Sequence, residues 1–353
     1  MTFFADFADV HHHRALLAPF YVLCGAGNQG VVVFFVLSGY FVGGSVIRAF
    51  RAGEFYWTRY LTHRLARLWI VLIPALLLGA LWDHLGLLVD RAPALYSGGN
   101  GNDMFSDVAG RLSLDCMLGN VVFLQTLLVP PFGSNGSLWS LAYEFWYYVM
   151  FPLGVCVVGR FTRSPWQAAI SAALIVLIVP LLSAIIWLLL PIWLLGALLH
   201  WVPPRATSVL QRSAAGAMFA AALFALSTLD TGHHLRSTIL SDWTMGLITV
   251  GFIWVLLGAQ HRATDTLATR TSRFMAQFSY SLYLLHMPIL ILLASFLVGD
   301  DHWLPGVKTG LVSVAVLALI IGYAWLVANI TERRTDALRA WITAKLAIRE
   351  NVA

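Results

Sequence analysis

The chain has 353 residues, of which 59% are hydrophobic and only 11% charged. Soluble domains carry about a quarter charged residues, so this composition excludes a soluble globular enzyme and points to a membrane protein. The net charge of +5 is spread over loop ends, not gathered in one patch, which excludes a nucleic-acid binder; three cysteines, Cys24, Cys116 and Cys156, are too few for a disulfide framework or a zinc site.

Residues 1–26 contain Asp6, Asp9 and the run His11 to Arg14, with no apolar stretch of the kind a signal peptide needs. His11, His12 and His13 are adjacent, so they do not converge as ligands on one helix face. They read as part of an exposed outer loop, 1–29, and no metal site is expected. A Cys24–Cys116 bridge stands open beside two free thiols.

A helix needs about 20 apolar residues to cross the hydrocarbon core. By that rule nine spans are expected: 30–48, 68–88, 138–158, 166–184, 186–201, 214–230, 242–260, 277–298 and 307–329. The fourth and fifth are barely separated and read equally as one element kinked by Pro180 and Pro191. Residues 112–130 are apolar but hold Asp115, Asn120 and Gln125. They read as a segment packed at the surface within an outer loop, 89–137, not as a tenth span. His233, His234 and His302 read as loop residues.

The first two runs flank a loop with Arg48, Arg51, Arg59, Arg64 and Arg67 against one acid, Glu54. Such a loop faces the cytoplasm by the positive-inside rule. With that choice, 17 of the 22 Lys and Arg residues fall on inner segments. The acids gather outside. The expected topology has the N-terminus outside and a cytoplasmic tail, 330–353. The fold class is therefore all-α: one polytopic transmembrane helical bundle over 1–353.

Several polar residues stand out against this apolar background. Arg64 and Arg67 are spaced i,i+3 and share a helix face where the second span leaves the cytoplasm. Paired guanidiniums fit phosphate oxygens, but the same pair would serve as an ordinary inner-face anchor. Arg59 and His63 flank them. Glu144 lies six residues into its span, about 9 Å down. A carboxylate at that depth faces a cavity or a partner, so it is either a polar group that orients or deprotonates a hydroxyl, or half of an ion pair. Ser137 and Ser140 line the same mouth or cap the helix. His286 sits mid-span, and Pro288 beyond it leaves a carbonyl one turn earlier without its helical partner. Ser38 and Gly39 lie mid-span in the run FFVLSG, but no nucleophile elbow surrounds them. Gly39, Gly43 and Gly44 read as a close helix-packing surface.

Four blocks, VVVFFVLSGYFVGG (31–44), YLTHRLARLWIVLIPAL (60–76), NGSLWSLAYEFWYYVMFP (135–152) and FSYSLYLLHMP (278–288), resemble the ordered signatures of the membrane acyltransferase-3 family. That family O-acylates cell-surface and secreted carbohydrates in bacteria. The resemblance implies an acyltransferase of the bacterial inner membrane, with acyl-CoA as donor substrate and no bound cofactor. The acceptor would be a hydroxyl of a carbohydrate or lipid-linked glycan. It implies that Arg64, Arg67 and Arg59 engage acyl-CoA and that Glu144 and His286 act at the transfer site. Family members have ten spans, and the first carries an Arg followed eleven positions later by a His, taken as the base. No His here has an Arg eleven positions before it. The expectation is that the family's first span and its base lie outside this chain. An inactive family remnant, and a transporter of a glycolipid or small group, are the alternatives.

Overall fold

Where no water is available, a backbone must satisfy its own amides, and the α-helix does so within one segment. The computed structural model describes residues 25–98, 107–158, 164–229, 235–259, 266–299 and 303–350, and among these it is helical, with no β-strand. In chain order, α1 (Gly27–Ser38) passes through a π-helical turn (Gly39–Gly43) into α2 (Gly44–Ala52). The long α3 (Trp57–Val89) follows, then the short α4 (Pro93–Ser97) and α5 (Leu114–Val121). Next come α6 (Leu138–Val158), α7 (Pro165–Ile178), α8 (Ala184–Leu198), α9 (Val209–Leu229) and α10 (Leu235–Leu257). The chain ends with α11 (Leu267–Ala276), α12 (Ser279–Leu297), α13 (Val307–Ile330) and α14 (Thr335–Glu350).

Among the described residues, seven helical segments are long and apolar enough to cross a membrane: Gly27–Ala52, Trp57–Val89, Leu138–Val158, Val209–Ser227, Thr238–Leu257, Ser279–Leu297 and Val307–Lys345. The chain is thus an all-α polytopic bundle. The fourth and fifth expected spans differ from the rest. α7 has 14 residues and α8 has 15, about 21–23 Å of helix against a hydrocarbon core of about 30 Å. Pro180 is the cause. It falls in a 3₁₀ turn, Val179–Leu181, and Leu182 is extended beyond it, so the run is two short helices, not one kinked one. Residues 112–130 are not a span: they hold α5 and tight turns in which Phe123 and Thr126 have positive φ. Cys116 there is a buried free thiol. Burial and the neighbouring Asp115 push its pKa up, so it is an inert packing group. Cys24, His11, His12, His13, His233, His234 and His302 lie outside the described residues.

The chain divides into two compact units. Among the described residues, one comprises those within 56–142 and 266–350, and the other those within 25–55 and 143–259.

In the first unit α3 and α12 form the main pair, α13 packs on α12, and α14 lies along α3. Tyr280 donates to the carbonyl of Leu68 at 3.1 Å, and Pro288 packs at Gly79. The residue numbers rise together, so α3 and α12 run parallel. Phe278, Ala324 and Ala328 are fully buried where α13 meets α12. Asp83 is 1% exposed inside α3. Its carboxylate accepts the Ser134 amide at 2.8 Å and the Ser134 hydroxyl at 2.6 Å, which ties the 131–137 segment to the helix. Hydrogen bonds to a charged group contribute about 1.5–3 kcal/mol each. Asp83→Ala is therefore expected to lower the thermal unfolding midpoint in detergent by several degrees; an unchanged midpoint would contradict this anchoring.

In the second unit α1 and the π turn pack against α8, α1 also packs against α10, and α9 pairs with α10. Methyl groups added at Gly39 and Gly196 would overlap the carbonyl oxygens of Trp193 and Val36 and lie 2.9 Å from the adjoining carbonyl carbons. Only glycine permits this backbone approach. Gly43 sits beside Ala197, and Gly44 beside the His200 ring. α1–α2 and α8 therefore also run parallel.

Candidate functional site

The second unit buries a polar cluster in an apolar setting. Ser38 ends α1 where the helix widens into the π turn, a distortion often found at functional sites. Its hydroxyl donates to Glu144 Oε1 at 3.0 Å, and Tyr148, one turn further along α6, also donates to Oε1. The Ser38 and Tyr148 oxygens are 3.3 Å apart. Trp193 Nε1 donates to Ser38 Oγ at 3.2 Å, and its indole is fully buried. Glu144 itself is 4% exposed. The close glycine packing makes this possible, because it brings Trp193 on α8 within reach of Ser38 on α1.

Two of the partners of Glu144 are hydroxyls, Ser38 and Tyr148. A buried carboxylate fixed by two O–H donors can take a proton from a third hydroxyl. Ser38 spends its own proton on that carboxylate and accepts from Trp193, so it acts as a brace, in keeping with the absence of a nucleophile elbow. Sequence reasoning missed Tyr148 and Trp193. Tyr148 was within reach: it lies i+4 from Glu144 and so shares its face. Trp193 gave no signal, because its partner is 155 positions away.

His200 is a second feature of this unit that the sequence did not single out. Its ring stacks on Tyr40 with centroids 4.5 Å apart, and its Nε2 bonds the Tyr40 carbonyl at 2.7 Å. Gly44 leaves the space for it.

The first unit holds the other expected residues. His286 is half-buried, and its Nδ1 donates to the carbonyl of Tyr283 at 2.8 Å. That bond requires the proton on Nδ1, so in the neutral ring Nε2 is the acceptor, the form a base requires. The carbonyl that Pro288 releases is that of Leu284, and Asn135 Nδ2 donates to it at 2.7 Å. Ser137 donates to Asn135 Oδ1 at 2.6 Å. Ser140 and the Tyr283 hydroxyl are 2.6 Å apart. These serines build a polar network around Tyr283.

At the basic end of α3, Arg64 is half-buried, with its guanidinium 5.5 Å from the Tyr60 ring centroid. Arg59 and Arg67 are exposed. The three share the unit of His286, whereas Glu144 belongs to the other unit. Among the described residues, no group of three His, Cys, Asp or Glu side chains is placed to hold a metal ion.

Comparison with known proteins gives one finding. The family model described as an acyltransferase domain, Acyl_transf_3, matches residues 3–329, which takes in most of both units. No curated protein matches the chain, and no solved structure does. A match that runs through the π turn, the Glu144 helix and the His286 helix alike covers nearly the whole chain, and the chain belongs to the acyltransferase-3 family.

Proposed function

We propose that this chain is an O-acyltransferase of the bacterial inner membrane, with its C-terminus in the cytoplasm. It moves an acyl group from acyl-CoA to a hydroxyl of a cell-surface, secreted or lipid-linked carbohydrate. The observation that carries this reading is the buried Ser38–Glu144–Tyr148 cluster, a carboxylate held by hydroxyl donors within a transmembrane segment.

In this reading the acceptor hydroxyl approaches Glu144, which takes its proton as the oxygen attacks the thioester carbonyl carbon. A C–O bond forms and the carbonyl becomes a tetrahedral oxyanion. The C–S bond then breaks, and the proton held by Glu144 passes to the departing sulfur. The products are an O-acyl carbohydrate and coenzyme A thiol. His286, with Nε2 as acceptor, is the second group fitted for proton transfer, at a site in its own unit. No resident cofactor is required.

The donor's phosphates are assigned to Arg64 and Arg67, with Arg59 beside them, because paired guanidiniums bind phosphate oxygens through parallel N–H donors. The double variant Arg64→Gln/Arg67→Gln tests this. With the purified protein in proteoliposomes, the donor KM is expected to rise about tenfold or more while kcat changes little, the pattern of lost ground-state binding. An unchanged KM, or wild-type protein that binds no acyl-CoA, would contradict the assignment.

A further inference from the structure

A groove in the second unit plays no part in the chemistry above. It has a volume of about 620 Å³, within the range of about 300–1,000 Å³ typical of ligand sites. Its walls are hydrocarbon: Phe151 and Val155 on α6, Ile175 on α7, Leu190 and Leu194 on α8. Among the described lining residues one is charged, Arg51 in the last turn of α2. Its guanidinium lies 5.7 Å from the Trp201 ring centroid, and Trp201 also lines the groove.

We propose that this groove is a binding site for an anionic phospholipid, with one acyl chain between α6, α7 and α8 and the headgroup phosphate on Arg51. Two features select that occupant. An apolar trough with a cation at one end beside an aromatic ring matches a molecule with one anionic end and a long hydrocarbon end. The polar arm that joins coenzyme A to its acyl group would leave its amides unpaired on these walls. Gly154 opens the groove further: a methyl group there would meet no atom within 4 Å. The shortness of α7 and α8 fits as well, since two helices too short to span leave room at their ends for lipid.

The test uses phosphatidylglycerol with a photoactivatable diazirine in its acyl chain, and the full chain in nanodiscs. Irradiation is expected to place adducts on peptides covering 150–158 and 190–194. Unlabelled phosphatidylglycerol should suppress them about tenfold better than phosphatidylcholine, whose quaternary ammonium offsets the attraction of its phosphate to Arg51. Arg51→Gln should abolish that preference while adducts persist. Gly154→Trp should remove the adducts with native elution retained, and Gly154→Leu should reduce them if the tryptophan variant fails to fold. Equal suppression by the two lipids, adducts that survive both Gly154 variants, or suppression by acyl-CoA and not by phospholipid would overturn the proposal.

Discussion

Glu144→Gln is expected to lower the rate of acyl transfer by about 10²–10⁴-fold, the usual contribution of a general base. The amide keeps the shape of the carboxylate and still accepts from Ser38 and Tyr148 through its oxygen. It cannot take a proton from an attacking hydroxyl. The loss should appear in kcat, with donor KM little changed, because the interaction is made as the hydroxyl ionises. Tyr148→Phe and Ser38→Ala should give smaller losses, since each removes one of two donors that orient the same oxygen. A Glu144→Gln protein that folds natively and transfers at the wild-type rate would remove Glu144 from the mechanism. His286→Gln would then become the decisive variant, because His286 is the other group held in a proton-accepting form.

Gly39→Val is expected to abolish recovery of the folded protein. Overpacking a core costs about 1–3 kcal/mol when side chains can yield, and more when they cannot. Here the obstruction at Gly39 is backbone, the carbonyl of Trp193, and the reciprocal contact at Gly196 is backbone as well. Neither helix can shift without breaking the Trp193–Ser38 hydrogen bond. Gly30→Val on the same helix is the control, since a methyl group at Gly30 would meet nothing within 4 Å. The expected result in detergent gel filtration is a peak at the wild-type position for Gly30→Val and aggregate for Gly39→Val. Native peaks of equal thermal stability for both would contradict the close α1–α8 approach.

The parts of this architecture that were legible in the sequence are those written in local chemistry. Apolar length marked the membrane segments because the hydrocarbon core imposes it, and Glu144 stood out because a lone carboxylate in such a run is costly. Pro288 foretold an orphaned carbonyl, but not that Asn135, 149 positions away, would satisfy it. Asp83 was hidden by its position: one turn from the end of a span, an acid reads as an interfacial residue until Ser134 is seen folded onto it. The glycines at 39, 43 and 44 announced a packing surface, while the π turn they permit could not be read, because helix widening depends on the neighbour that fills it. Pro180 was seen as an interruption. That it cuts one membrane-length run into two helices too short to span follows from Leu182 turning to an extended conformation.

The central claim is that a thioester is split and its acyl half delivered to a sugar hydroxyl. The most direct measurement gives reconstituted protein a donor labelled separately in its acyl group and its adenine, with a polysaccharide or lipid-linked glycan acceptor. The acyl label is expected to appear in alkali-labile ester linkage on the carbohydrate, with the adenine label left behind as free coenzyme A thiol in equal amount. Both labels remaining on the intact donor, or crossing the membrane together, with folded protein present throughout, would contradict it.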